Sequence, residues 1–368
     1  MTVAWQSIHP EIALNWCSYD CYHDDPPPTI DVFAFDTIFA RYFINQQYLQ
    51  AFPVMDLNDF LPWSLTGLTV NSEWVWAIPY LGCLNTLIYR AGDSQLGAPN
   101  LTNPDLLDIV GISPDTSPEP PPGSGLLIDL TGGTTDACMY LQTVMENAGN
   151  YPVDPSLPPW TNLNQEALTD LRQLVEMAGL QQASYVDPNS VRLDWFMAGR
   201  GRALVGLTET LGFLTNAEVS GLAFRPLPIA DSPVATIPLF ADAWAVNAAI
   251  DPTKVGIATD FATMAASPQV TLSALMPPSS AQTPQYLTPV RSSVLAKLAS
   301  IYPMYGIIES LVGSAQTAAF RIGPGSRSWL ATNAAGIRNE ILGTEFAFDE
   351  TTLPVGYAST PAGIWRRG

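Results

Sequence analysis

A thiol and a carboxylate are the groups in this chain that most readily suggest a reaction. Cys83 follows Gly82 between two predicted strands, where the backbone is expected to border a cleft. A cysteine attacks as its thiolate, so it needs a base or a positive field nearby. Because the chain has only 2 histidines, a carboxylate is the expected base, and Glu209 at the end of a predicted strand is the candidate. The competing interpretations are a small buried apolar residue for Cys83 and a carboxylate stabilised at a helix N-terminus for Glu209.

Two aspartates occupy comparable positions. Asp36 and Asp242 each lie at or just beyond the end of a predicted strand. Open α/β sheets bind their ligands at the carboxyl ends of the strands. The predicted site therefore combines Asp36 and Asp242 with Cys83 and Glu209.

Metal and phosphate chemistry receive little support from the sequence. His9 and His23 cannot form a three-histidine zinc site, and His23 lies in an acidic, proline-rich loop typical of an exposed residue. The glycine-rich turn at 132–135 could cradle an anion at a helix N-terminus, but it lacks the ending of a Walker A loop. A tight packing turn is the simpler interpretation. We expect no metal and no organic cofactor.

Alternating strand and helix patterns must position these groups. The predicted strands are 30–36, 73–79, 86–90, 126–130 and 202–207, with a short apolar run at 12–16. The predicted helices are 37–48, a helix that opens at 131–135 and runs past 145, and 168–177. This alternation with short links indicates an α/β fold with mainly parallel sheets.

Composition excludes several functional classes. The 368 residues are 47% hydrophobic, which excludes a disordered chain, and the formal net charge is −19. So acidic a surface repels nucleic-acid backbones and anionic membranes, so we expect neither as a partner. No apolar run is long enough to span a membrane, and residues 1–11 lack the features of a signal peptide. The 4 cysteines are too few for a disulfide scaffold, although Cys17 and Cys21 could pair locally.

The chain resembles type II periplasmic binding proteins and, within that superfamily, thiaminase I. The segments 77–79 and 87–90 resemble the hinge of the superfamily. The segments similar to thiaminase I are 31–39, 83–93, 125–128, 132–135, 195–196, 201–203, 238–240, 284–287, 320–324 and 329–330. The resemblance implies a two-lobed α/β fold with an interlobe cleft. Lobe one would comprise 1–92 plus 235–302, and lobe two 93–234 plus 303–368.

The resemblance also implies a reaction. In thiaminase I a cysteine thiolate attacks C6 of the aminopyrimidine ring of thiamine, the thiazole leaves from the bridging methylene, and an amine or thiol takes its place. A glutamate serves as the base. The matching positions are Cys83 and Glu209, which gives these residues the roles that their positions suggested.

Four further residues match the substrate cleft of the family. Asp36 and Asp242 match acids that hold the aminopyrimidine and the cationic thiazolium, and Tyr22 and Trp5 match cleft aromatics. The implied partners are thiamine or an analogue and a nucleophilic cosubstrate. The implied protein is a monomer that is secreted or periplasmic.

The chain departs from the family in the lining of the cleft. Leu207 and Ser190 replace family tyrosines, and a tyrosine near Phe240 is absent. These losses question the identity of the substrate more than the class of reaction. Two alternatives therefore stay open: a protein that binds thiamine-like cations without turnover, and a paralogue that acts on another heteroaromatic.

The start of the chain carries one more expectation. The family's first strand, which lies between the strands near 12–16 and 30–35, has no counterpart. We therefore predict an N-terminally truncated lobe one that derives from a longer precursor with an export signal. A wide slot should separate those two strands, and Trp5 should be poorly anchored.

Overall fold

The computed structural model describes residues 1–54, 56–149, 157–186, 191–234, 236–279, 282–313 and 317–343. Its strands are β1 (Val32–Asp36), β2 (Leu49–Gln50), β3 (Phe52–Pro53), β4 (Trp74–Val75), β5 (Ile78–Cys83), β6 (Asn85–Arg90), β7 (Pro122–Leu127), β8 (Gly201–Leu207), β9 (Leu222–Pro226), β10 (Ile237–Asn247), β11 (Thr288–Pro289) and β12 (Thr317–Ala319). Its α-helices are α1 (Thr2–Ile8), α2 (Ala40–Asn45), α3 (Pro62–Leu65), α4 (Asn103–Val110), α5 (Gly133–Asn147), α6 (Gln165–Ala178), α7 (Leu180–Ala183), α8 (Val191–Met197), α9 (Asn216–Val219), α10 (Val255–Ala265), α11 (Pro268–Leu275), α12 (Ser292–Ala299), α13 (Pro303–Val312) and α14 (Ser326–Leu342).

Strand β10 organises the first sheet. The strand order is β1–β10–β5–β11, and β2 and β12 pair with other parts of β10. Its sequence is almost wholly apolar, and every β10 residue except Phe240 and Asp242 is buried. The sequence of a strand that is covered on both faces is typically a continuous run of hydrophobic residues. The half-buried Asp242 is therefore an exception that calls for a functional explanation.

The second sheet has the order β7–β8–β6–β9. Strand β6 is antiparallel to both β8 and β9, whereas β7 and β8 are parallel. In the first sheet β10 is antiparallel to β1 and β5. The prediction of mainly parallel sheets was wrong. Alternation of strands and helices cannot show that β10 returns, far along the chain, to pair with strands formed much earlier.

The two sheets are connected where the chain passes from β5 to β6. A single residue, Leu84, separates β5 in the first sheet from β6 in the second. The chain therefore crosses between the sheets at Leu84. The division into lobes at 92 and 93 stays a prediction. Strand β12 pairs with β10, so 317–319 joins the first sheet although it was assigned to lobe two. The end of the predicted lobe two, 344–368, lies outside the described residues.

Helix α6 shows how the local sequence specifies an element that covers the second sheet. Leu168, Leu171 and Leu174 recur at helical spacing and are fully buried. Asn164 caps the start by accepting a hydrogen bond from the N–H of Ala167. Burial of each leucine stabilises the fold by about 2 kcal/mol. The predicted helix at 168–177 is confirmed, with one turn added at its start.

The N-terminal segment differs from its prediction. Residues 12–16 form no strand. Of the two strands that were predicted to border a wide gap, only β1 is therefore present. Trp5 is 1% exposed, and its ring lies 5.5 Å from that of Phe261 in α10. Its indole N–H donates to the carbonyl of Ile12 at 2.9 Å. The prediction of a poorly anchored Trp5 was therefore wrong, because α10 supplies the packing surface. No helix in the described ranges is both long enough and apolar enough to cross a bilayer.

Candidate active site

The register of the first sheet gathers three of the predicted site residues on one face. Phe240 of β10 pairs with Cys83 of β5, and Asp242 pairs with both Leu81 of β5 and Asp36 of β1. Paired residues share a face of the sheet, and so do residues two apart on one strand. Cys83, Asp242 and Asp36 therefore project from the same face.

The second sheet brings Glu209 toward this face. Leu207, the last residue of β8, pairs with Asn85, the first residue of β6. Cys83 precedes Asn85 by two residues and Glu209 follows Leu207 by two. Because β6 and β8 are antiparallel, the residue two before Asn85 and the residue two after Leu207 leave the same end of the strand pair. The thiol and the carboxylate thus lie near each other where the chain crosses from one sheet to the other, close enough for the charge of Glu209 to raise the pKa of Cys83.

Cys83 is a half-buried free thiol in a negative environment. Burial raises its pKa well above the ordinary value, and the charges of Glu209, Asp242 and Asp36 raise it further. Burial and nearby negative charge both disfavour the thiolate. In the free protein the thiol therefore holds its proton, and a cation that entered the site would make the thiolate easier to form.

Glu209 has the properties of a base. It is the second residue of a short 3₁₀ helix, Thr208–Phe213, that follows β8 directly. Its Oε2 atom is buried, and the part of the chain that the structure describes supplies it with no hydrogen-bond partner. Burial raises the pKa of this carboxyl to about 7. A group with this pKa exchanges protons readily near neutral pH, as general base catalysis requires.

Asp36 and Asp242 form a cross-strand pair of acids. Asp36 accepts hydrogen bonds from the hydroxyl of Tyr22 at 2.7 Å and from the N–H of Ile38 at 3.0 Å. Burial raises its pKa to about 6 against the effect of these two donors. Burial, Asp36 and Glu209 together raise the pKa of Asp242 well above its usual range. Adjacent like charges oppose each other's ionisation, so the charge of Asp36 makes Asp242 harder to ionise.

Tyr22 lies in a loop that hydrogen bonds from Arg327 fix in place. The guanidinium of Arg327, in the first turn of α14, donates to the carbonyl of Cys21 at 2.6 Å and to that of Asp24. These carbonyls flank Tyr22 on both sides. Sequence reasoning missed Arg327, because nothing local connects it to a loop that lies 306 residues earlier.

Trp5 makes a different set of contacts. Besides Phe261 and Ile12, its ring lies 4.4 Å from the ring of His9. These contacts fix it between α1 and α10 and give it a packing role. Substrate binding by Trp5 stays a prediction.

The departures from the family pattern fall partly within the described residues. Leu207 is half-buried at the end of β8, two residues before Glu209, and Phe240 packs against Phe320 with ring centroids 5.0 Å apart. Phe240 pairs with Cys83 in the sheet register and so presents apolar surface beside the thiol. Ser190 lies outside the described residues.

The two histidines lie apart from this cluster. His23 makes a 2.8 Å contact with Asp20 and is largely exposed, and His9 lies 3.6 Å from Asp260. Across the described ranges, no three side chains of histidine, cysteine, aspartate or glutamate converge in a way that could hold a metal ion. Cys17 and Cys21 are both free thiols.

Comparison with known proteins identifies the relatives of this chain. The family model described as Thiaminase-1 domain matches residues 84–230, a span that begins beside Cys83 and includes Glu209. Thiaminase-1 of Paenibacillus thiaminolyticus is 35% identical over 346 residues, which cover 92% of this chain and 83% of that protein.

Solved structures show the same relationship. Clostridium botulinum thiaminase I in complex with thiamin has a TM-score of 0.87 at 32% identity, with 93% of this chain and 94% of that chain covered. A solute-binding protein of an ABC transporter from Agrobacterium radiobacter K84, in complex with ribitol, has a TM-score of 0.59 at 18% identity over 85% and 82% of the two chains. The second likeness shows the fold alone and confirms the predicted two-lobed periplasmic-binding-protein-like architecture. Identity of 35% over 92% of its length, together with the closely superimposable thiaminase fold, shows that the chain belongs to the thiaminase I family.

Proposed function

We propose that this protein is a thiamine-degrading transferase that exchanges the thiazole of thiamine for another nucleophile. The observation that carries the proposal is the position of Glu209, whose buried Oε2 atom has no hydrogen-bond partner within the described residues, close enough to Cys83 for its charge to raise the pKa of the thiol. A protein that only captured a ligand would have no need of a thiol beside a base whose pKa is near 7.

Glu209 begins the reaction by accepting the proton of the Cys83 thiol. The thiolate forms a bond to C6 of the pyrimidine, and electron density moves through the ring toward the bridging methylene. The thiazole leaves with the electrons of its bond to that methylene. Once the thiazole has left, Glu209 releases this first proton to solvent. An incoming amine or thiol then bonds to the methylene as it gives its own proton to Glu209. Finally the thiolate leaves C6 and takes the proton back from Glu209, so the aromatic ring and the free thiol are restored and one proton has been released overall.

Charge explains how thiamine enters and activates the site. The thiazolium is a cation, and the protein carries −19 overall with three carboxyl groups clustered on Cys83. Such a field raises the local concentration of a cation. A bound cation also offsets the negative charges that raise the pKa of Cys83, so the substrate itself promotes formation of the thiolate.

Asp36 and Asp242 are the proposed contacts for the two rings of thiamine. Asp36 presents a carboxylate that Tyr22 and the Ile38 N–H already orient. Asp242 adds a second carboxyl group on the same face of the sheet, paired with Asp36 across the strands. Together they suit a ligand that combines a polar heteroaromatic edge with a positive charge.

The proposal also covers the cosubstrate, the oligomeric state and the location of the protein. The cosubstrate is an amine or a thiol, the protein acts as a monomer, and it works outside the cytoplasm. Light scattering of the purified chain and fractionation of the producing cells test these statements.

The direct experiment is incubation with thiamine and an aromatic amine, followed by mass spectrometry. We expect a product in which the amine has replaced the thiazole, and we expect none with Cys83→Ser. Binding of thiamine without any exchanged product would favour the alternative of a non-catalytic binding protein.

A further inference from the structure

Strand β5 carries an irregularity next to the acid pair. Asp242 pairs with Leu81 and the next β10 residue, Ala243, pairs with Pro79, so Tyr80 is an extra residue opposite β10. Such a β-bulge re-aims a side chain and is common beside active sites. No local sequence pattern predicts this bulge, because a bulge depends on the partner strand.

The ring of Tyr80 lies on the face that carries the acids. It packs against Trp244 with ring centroids 5.3 Å apart. Trp244 is two residues from Asp242 on β10 and therefore shares its face. The bulge thus places a phenol beside Asp242, three residues before Cys83 on the same strand.

The hydroxyl of Tyr80 is buried without a partner. The side chain is 7% exposed, and its oxygen makes no hydrogen bond within the described residues. Burial and the charges of Asp242, Cys21 and Asp36 raise its pKa well above the ordinary value, so it keeps its proton and can donate. Buried hydroxyls are nearly always paired, because an unpaired one loses its hydrogen bonds to water without compensation. A ligand that supplies the missing acceptor would explain the exception.

We propose that Tyr80 is a further substrate-binding residue, whose hydroxyl donates a hydrogen bond to thiamine bound beside Asp242. The proposal rests on the proposed function, since it places thiamine against the Asp36–Asp242 pair. Packing alone does not require the hydroxyl of Tyr80, because phenylalanine would fill the same space.

The test measures thiamine binding by calorimetry in the Cys83→Ser background, where turnover does not interfere. We expect Tyr80→Phe to raise the Kd about tenfold, the value of one buried hydrogen bond to a ligand. We expect its thermal midpoint to be equal or higher, because the change removes an unpaired polar atom.

Tyr305→Phe is the matched control. Tyr305 is fully buried in α13, but its hydroxyl donates to the carbonyl of Leu287 at 3.2 Å. We expect this variant to lower the thermal midpoint and leave the Kd unchanged. Each substitution removes one phenolic oxygen. A weaker affinity without loss of stability identifies a ligand contact, and a loss of stability with unchanged affinity identifies a structural one.

An unchanged Kd in Tyr80→Phe would overturn the inference, as would a loss of stability equal to that of Tyr305→Phe. Asp242→Asn separates this failure from failure of the proposed site. If Asp242→Asn weakens binding and Tyr80→Phe does not, the role of Tyr80 is refuted and the proposed site is retained. Unchanged binding in both variants refutes the placement of thiamine, and absence of thiamine binding throughout refutes the proposed function and the inference with it.

Discussion

Replacing Glu209 with glutamine should slow the enzyme and at the same time stabilise it above neutral pH. Glutamine keeps the shape of the side chain but cannot accept a proton, so the rate of thiazole exchange should fall about a hundredfold. The stability effect follows from the pKa of this carboxyl, which burial raises from 4.5 to about 7.

The sign and size of the stability effect can be worked out from that pKa. Below pH 4.5 the carboxyl is protonated in the folded and the unfolded chain, so it contributes nothing. Between pH 4.5 and 7 the unfolded chain releases the proton while the folded chain retains it, so the free energy of unfolding falls as pH rises. At 1.36 kcal/mol for each pH unit the full loss is about 3 kcal/mol above pH 7, and solvent screening of this half-buried group reduces it to about 1–2 kcal/mol.

Urea denaturation of the wild type and Glu209→Gln at pH 4 and pH 8 provides the assay. We expect equal free energies of unfolding at pH 4 and an advantage of about 1–2 kcal/mol for Glu209→Gln at pH 8. The exchange rate at pH 8 is measured on the same samples. A variant that keeps the wild-type rate would refute the role as base, and one that is no more stable at pH 8 would refute the buried, unpartnered carboxylate.

Three further predictions follow from the site. Cys83→Ser should abolish exchange and leave thiamine affinity nearly intact, because a carboxylate cannot activate an alcohol comparably; wild-type turnover would refute the thiol mechanism. Asp36→Asn and Asp242→Asn should each weaken thiamine binding by about 1.5–3 kcal/mol, the value of a charge-assisted contact, and calorimetry that finds wild-type affinity in both would remove these acids from the site. Arg327→Ala should loosen the loop of Tyr22 and raise KM several-fold with little change in kcat, as steady-state kinetics would show; an unchanged KM would mean that the loop holds its place without the arginine.

The reactive residues could be identified from the sequence because their evidence is local. Cys83 beside Gly82 and Glu209 at a strand end suggested a thiol and a base, and the resemblance to thiaminase I gave both residues their roles. The helix at 168–177 was evident from the spacing of its leucines. Each of these signals depends on neighbours within one or two turns or one strand.

The tertiary structure alone decided how these residues meet. Strand β10 pairs with β1 and β5 across about 150 to 200 residues of chain, and Arg327 reaches the loop of Tyr22 across an even longer interval. The unpaired hydroxyl of Tyr80 depends on a bulge that exists only because β10 lies opposite. Periodicity reports which face of an element is buried, but it carries no information about which distant element covers that face, since strand pairing is fixed by the register of two segments that are remote in the chain. The chemistry was therefore readable from the sequence, whereas the antiparallel sheets and the convergence of three acids on one thiol required the fold.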